Sequence, residues 1–268
     1  MVVNITIPVF NEEDRLPGSV PILYRFLTEH CRFSFEIVVA DNGSTDRTLD
    51  VACKLLHEYP GLQVAHLDQK GRGRALKKVW SESHADVLSY MDVDLSTELS
   101  AFPPLIEALL AGGCDLAIGS RLMKHSLVTR GLRREIISRC YNVLIKMLFR
   151  TTFSDAQCGF KAITRKAAAR LLPLVEDNGW FMDTELLILA EKLGYQIFYL
   201  PVAWVEDRDS RVKIWKTALE DLRGLVRVRR SLASGIYDPG IREPVRSERL
   251  THCSAPSLSG SSEQHGDK

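Results

Sequence analysis

Val87-Leu88-Ser89-Tyr90-Met91-Asp92-Val93-Asp94-Leu95-Ser96 is the stretch on which the reading of this chain turns. Val87, Leu88, Tyr90 and Met91 make a short apolar run of strand character, and polar residues follow at once. Asp92 and Asp94 stand where the strand runs out, and in an open α/β sheet that carboxyl edge is where ligands bind. With the backbone still extended, alternate side chains share a face, so the two carboxylates point the same way. Two hard oxygen donors that close repel unless a cation sits between them, and Mg²⁺ or Mn²⁺ suits a site of one or two carboxylates completed by substrate phosphates. The plainer alternative is a solvated acidic turn in which Asp94 or Ser96 starts a helix.

On the N-terminal side, strand and helix alternate. Val2–Val9 is a strand ending at Phe10-Asn11-Glu12-Glu13, and a helix follows over Pro17–Glu29. Phe35–Ala40 is a near-continuous apolar strand of the kind a parallel sheet covered on both faces requires. It stops at Asp41-Asn42-Gly43-Ser44-Thr45-Asp46, where Gly43 permits a tight turn and Ser44 or Thr45 caps a helix to Leu56. Leu62–Leu67 is a third strand, and Gly71-Arg72-Gly73-Arg74 leads into a helix reaching Ser83. Beyond the Asp92 strand come a helix over Pro103–Leu110 and a strand over Asp115–Gly119. The alternation and the short connections predict a doubly wound α/β sheet with helices on both faces.

The second half is more helical and more basic. Leu132–Arg150 is amphipathic, with Arg133, Arg134, Arg139, Lys146 and Arg150 against an apolar stripe. It reads either as a core helix with a solvated basic edge or as a helix lying in a membrane interface. A loop over Ser154–Lys161, helices over Arg165–Leu172 and Asp183–Leu193, a strand over Ile197–Val205 and a basic amphipathic helix over Ile214–Arg230 follow. From Ser234 onward the composition of Ser, Gly, Pro and charge predicts a disordered tail, 234–268.

With 268 residues, 45% apolar and 26% charged, the chain is long enough for a sizeable core, and a net charge of +1 gives no support to a nucleic-acid partner. Six cysteines without C-x-x-C spacing read as reduced thiols of a cytosolic protein, mostly core fillers. The chain enters a strand directly, so no signal peptide is expected, and no apolar run approaches the roughly 20 residues of a membrane span.

Three strand ends, Asn11-Glu12, Asp41 and Asp92/Asp94, would converge on one sheet edge, where a nucleotide could bond through base and ribose with a metal on its diphosphate. Gly71-Arg72-Gly73 fails the dinucleotide pattern, since Leu76 stands where the third glycine belongs, and reads as a basic turn beside a diphosphate or a solvated loop. Arg121, closing Ile118-Gly119-Ser120-Arg121, can reach a phosphate bidentately or form a surface ion pair, and Arg211 and Lys213 are weaker phosphate candidates.

Pro8-Val9-Phe10-Asn11-Glu12, Asp41 to Asp46, Asp92-Val93-Asp94-Leu95-Ser96 and Gly119-Ser120-Arg121 together resemble family 2 glycosyltransferases of the Rossmann-like GT-A fold. Ser154 to Lys161, Trp180 to Leu187 and Pro201-Val202-Ala203-Trp204 narrow the likeness to the dolichyl-phosphate β-glucosyltransferase and polyprenyl-phosphate mannose synthase branch. The resemblance implies a catalytic domain over 1–213, with a nucleotide half, 1–121, and an acceptor half, 122–213, before the helix 214–233. It makes Pro8, Phe10, Asn11, Glu12, Asp41, Gly71, Arg72 and Asp92 contacts of the nucleotide sugar, and Asp92 and Asp94 ligands of Mg²⁺ or Mn²⁺. Arg121 would bind the acceptor or donor phosphate, Arg133, Lys161, Arg211 and Lys213 become further candidates for the acceptor phosphate, and Leu132–Arg150 the helix that meets lipid. Ser96 stands where mannose synthases carry a Gln metal ligand, and the shorter side chain leaves that place to water.

The implied reaction moves a hexose from UDP-glucose or GDP-mannose to a polyprenyl or dolichyl phosphate, peripherally, at the cytoplasmic face of a membrane. A membrane-protein partner would stand in for the spans that many relatives carry. UDP-glucose is favoured through Gln157 to Lys161 and Trp180. In-line attack implies inversion. A phosphate acceptor needs positioning more than a base, whereas a hydroxyl acceptor would make Asp183 or Glu185 the base. The rival readings are a soluble transferase acting on a small hydroxylated acceptor and a nucleotide-sugar-binding module without turnover.

Overall fold

The computed structural model describes residues 1–206 and 214–237. The chain runs β1 (Val2–Val9), α1 (Leu16–His30), β2 (Ser34–Asn42), α2 (Thr48–Glu58), β3 (Leu62–Leu67), α3 (Arg72–Glu82), β4 (Val87–Met91), α4 (Phe102–Leu110), β5 (Leu116–Ser120), β6 (Leu127–Thr129) and α5 (Leu132–Phe149). It continues with β7 (Phe160–Thr164), α6 (Arg165–Leu171), α7 (Met182–Lys192), β8 (Ile197–Pro201), β9 (Ala203–Val205) and α8 (Ile214–Ala233). The main sheet has seven strands in the order β3-β2-β1-β4-β7-β5-β8. β1, β2, β3 and β4 are mutually parallel, so their carboxyl ends share one edge. β7 runs antiparallel between β4 and β5, and β8 is parallel to β5.

Two apolar layers enclose the sheet. Leu16, Leu23 and Leu27 of α1, Ala52 and Leu55 of α2, and Phe102, Leu105 and Ile106 of α4 cover one face. Leu76 and Trp80 of α3, Ile145 of α5, Leu186 to Ala190 of α7, and Leu225 and Val228 of α8 cover the other. Burial on both faces is why these strands read as unbroken apolar runs.

Several expectations are corrected. The loop expected over Ser154–Lys161 ends early, because Phe160 and Lys161 open β7, with Tyr90 beside Lys161 in register. Lys161 hides the strand in sequence, since a buried lysine breaks the apolar run. The strand expected over Ile197–Val205 divides at Val202, whose N–H donates to the Ser120 carbonyl. β9 then leaves the main sheet to pair with β6, a three-residue strand that the sequence did not suggest. Of the cysteines within the described residues only Cys158 is buried, while Cys53 and Cys140 are exposed, so the thiols are not mostly core fillers. Of the tail expected from Ser234, residues 234–237 are ordered, with Tyr237 packed into the core, and residues 238–268 lie outside the described residues. Among the described residues no helix is long and apolar enough to cross a membrane.

Candidate active site

β4 delivers Asp92 to the carboxyl edge, and the chain then turns. The Leu95 N–H donates to the Asp92 carbonyl at 3.1 Å, and Leu95 takes a left-handed φ of 50°. The backbone is therefore not extended through Asp92-Val93-Asp94, and a tight turn stands in place of the expected pleat. Asp94 is exposed, and its Oδ1 accepts the Ser96 N–H at 3.0 Å. Asp92 rests on Gly159: a Cβ there would lie 1.7 Å from Asp92 Oδ2. Burial and the nearby Asp94 push the Asp92 carboxyl above its usual range, against the pull of Arg72. Asp92, Leu95, Ser96, Thr97 and Gly159 line a small cleft at this point.

Arg72, the first residue of α3, supports Asp92 from behind. Its guanidinium donates to Asp92 Oδ1 at 3.1 Å and to Asp183 Oδ2 at 2.6 Å, and lies over the rings of Tyr90 and Trp180. Asp183 also accepts the Tyr90 hydroxyl at 2.5 Å and pairs with Lys161 at 3.4 Å. Lys161 donates in turn to the Tyr90 hydroxyl oxygen and the Cys158 carbonyl. Two cations thus face two carboxylates, and each buried charge has a partner, as burial demands. Against the upward push of burial, Lys161, Arg72 and Tyr90 hold the Asp183 carboxyl below the usual carboxylate range.

These positions revise several assignments. Asp183 and Lys161 are buried inside the network, so neither faces a substrate as a base or as a phosphate ligand. Glu185 is buried as well and takes a bidentate pair from Arg227 at 2.7 and 2.9 Å. The fork of Arg121 is spent on the buried Asp155, through Nε at 2.7 Å and Nη2 at 2.9 Å, with Trp204 beneath the guanidinium. Asp155, held by Arg121, has its carboxyl lowered to about 2. Arg72 is a buried helix residue and not part of a solvated turn. Gly71 and Gly73 serve close packing, since a Cβ would meet the Asn178 carbonyl oxygen at 2.6 Å and Met182 Cβ at 2.7 Å respectively. Arg133 is exposed on α5, and Arg211 and Lys213 lie outside the described residues.

The nucleotide candidates do gather at the edge. Pro8 is the last residue but one of β1, opposite Ala40, and Phe10 lies under the Lys70 ammonium at 3.3 Å. Asn11, with φ of 58°, and Glu12 interlock with the loop after β2: Asn11 Oδ1 accepts the Thr45 N–H at 2.8 Å, and Thr48 Oγ1 accepts the Glu12 N–H at 2.8 Å. Asp41 is fully buried and accepts from His66 Nδ1 at 2.7 Å and the Ser44 N–H at 3.2 Å. Reading the sequence missed His66, Tyr90, Asp155 and Gly159. Gly159 carries a faint signal, a glycine just ahead of β7, the strand that pairs with β4.

Asp92 and Asp94 fit a divalent cation. Asp92 offers hard oxygens in the lining of the cleft, with room left by Gly159, and Asp94 offers exposed ones two residues on. Among the described residues no third acidic, His or Cys ligand joins them, so a cation's remaining oxygens would come from water and from a bound diphosphate.

An open sheet entered by β1, β2 and β4 at one edge, crossed by an antiparallel β7 and ending in an acidic turn, is the GT-A fold. The chain belongs to glycosyl transferase family 2, whose pattern matches residues 4–172. It is 34% identical to the glycosyltransferase AglD of Haloferax volcanii over 81% of this chain, and it spans about a third (35%) of that protein's length. It is 28% identical to the dolichyl-phosphate β-glucosyltransferase of Dictyostelium discoideum, covering 87% of this chain and 76% of the relative. Among solved structures, the glucosyl-3-phosphoglycerate synthase of Mycobacterium tuberculosis with Mn²⁺, UDP-glucose and phosphoglyceric acid superposes with a TM-score of 0.65. It is 19% identical, with 85% of this chain and 79% of that one covered.

Proposed function

We propose that this chain transfers glucose from UDP-glucose to a polyprenyl monophosphate of the dolichyl type, with inversion, at the cytoplasmic face of a membrane. The Asp92/Asp94 turn, seated on Gly159 at the edge where β1, β2 and β4 end, is the observation that carries the reading. A divalent cation bound there supplies charge neutralisation for the departing nucleoside diphosphate. Arg72 and Gly159 fix the direction of Asp92, and the Ser96 N–H fixes Asp94. Residues 1–121 form the nucleotide half and residues 122–213 the acceptor half. Phe10, Asn11, Glu12 and the Asp41–His66 pair build the wall for base and ribose.

A monoester phosphate is already an anion near neutral pH, so the acceptor needs alignment more than deprotonation. The locked state of Asp183 and Glu185 agrees with that, since a hydroxyl acceptor would need a free base. The dolichyl-phosphate β-glucosyltransferase relatives support the glucose and lipid parts of the reading. On α5 and just past its end, the exposed Arg133, Arg139, Lys146 and Arg150 beside Ile136, Val143 and Met147 supply a basic, apolar edge for the headgroup layer.

The test is an incubation with labelled UDP-glucose, Mn²⁺ and polyprenyl phosphate, followed by solvent extraction. Label in the organic phase as a β-linked glucosyl phosphate is the expected result. Label confined to the aqueous phase, or an α-linked product, overturns the reading.

A further inference from the structure

α8 carries apolar residues on two opposite sides. Its inward face, Asp221, Gly224, Leu225 and Val228, packs against the body of the molecule. Its outward face is not the polar surface that an ordinary soluble helix shows. Leu219, Leu222 and Val226, at 50%, 46% and 49% exposure, recur at helical spacing there, with Arg223 between them and Arg230 one turn beyond Val226. Leu222, Val226 and the arginines 223, 227 and 230 line one shallow surface groove. Arg227 is committed to Glu185 and Glu176. Glu220, at the start of the face, is its one exposed acid among the described residues of the helix. Arg229 donates to the Leu148 carbonyl, so α8 meets the last turn of α5, where Lys146, Met147 and Arg150 are exposed.

The geometry points to the outward face of α8 as a second lipid-docking surface, one that lays Leu219, Leu222 and Val226 among acyl chains and sets Arg223 and Arg230 against anionic phospholipid headgroups. Charge decides the partner. Apolar side chains interleaved with arginine complement an anionic bilayer surface, whereas a protein partner for this stripe would need matching acids and a pocket for each leucine. The inference deepens the lipid-acceptor reading by naming how the chain is held where its acceptor resides, and it rests on that reading for its purpose.

Sedimentation of the full chain with vesicles tests it, without donor or polyprenyl phosphate present. Wild type is expected to co-sediment with vesicles of phosphatidylcholine and phosphatidylserine, and not with phosphatidylcholine alone. An arginine beside an anionic surface strengthens binding about fivefold, so R223Q/R230Q is expected to weaken partitioning on the order of 30-fold. L222S/V226S is expected to abolish it, with circular dichroism unchanged. Transfer to a detergent-dispersed short polyprenyl phosphate is expected to persist in both variants. Unchanged vesicle binding in both variants overturns the docking surface. So does equal binding to neutral vesicles, or a drop from dimer to monomer in L222S/V226S with vesicle binding intact. Failure of the detergent assay in wild type, with vesicle binding present, instead removes the acceptor reading and leaves the surface standing.

Discussion

Asp92 depends on what lies beneath it. A Cβ on Gly159 would occupy the space of its carboxylate, 1.7 Å from Oδ2, so Gly159→Ala must turn Asp92 away. The expected outcome is a loss of kcat/KM of at least about 100-fold, since misplaced groups near the chemistry cost that much, with a small change in melting temperature. Steady-state kinetics beside a thermal melt check it, and full activity in the variant would show that Asp92's position is immaterial. Asp183 acts differently. Asp183→Asn leaves Arg72 and Lys161 short of a buried counter-charge and is expected to cost about 3–5 kcal/mol of stability, measured by urea unfolding. A variant as stable as wild type would remove the network from the account. The type and place of Asp92 and Asp94 were legible in the sequence because strand-end carboxylates two apart are local. The pairing of Arg72 with Asp183, 111 residues apart, and of Tyr90 with Asp183, 93 apart, was not, so buried structural charges read as reactive ones.

Elements show the same divide. The parallel strands were legible because burial on both faces leaves an apolar run. β7 was not, because Lys161 interrupts it and its neighbours β4 and β5 come from elsewhere in the chain. The docking of α8 was also invisible: Gly224 lies so close to Phe181 that a Cβ would be 2.3 Å from the ring, and Asp221 accepts from Gln157 Nε2 at 2.7 Å. Gly224→Ala is expected to destabilise by about 1–3 kcal/mol through overpacking, with a lower melting temperature. An unchanged melting temperature would mean α8 is not seated as described. Asp221 is nearly buried, one of its oxygens has no partner, and burial raises its carboxyl to about 7. The native state then keeps a proton that the unfolded chain releases near pH 4, so this group makes stability fall as pH rises from about 4 to about 7. Asp221→Asn is expected to flatten that fall and to melt higher than wild type above pH 7, with little difference at pH 4. Parallel melting curves across the range would contradict it.

At the scale of the molecule, the alternation of strand and helix fixed an open α/β sheet, and the family likeness supplied its GT-A form. Strand order needed the structure, because the placing of β7 between β4 and β5 and the departure of β9 to β6 are choices of long-range pairing. The central claim is that the Asp92/Asp94 turn holds a divalent cation through which a nucleotide sugar is gripped. Calorimetric titration of UDP-glucose into the full chain tests it most directly, with Mn²⁺, with chelator, and with Asp92→Asn. Binding with Mn²⁺ that disappears with chelator, and that falls at least tenfold in Asp92→Asn, is the expected result. Binding that survives both chelator and Asp92→Asn undiminished would contradict the account.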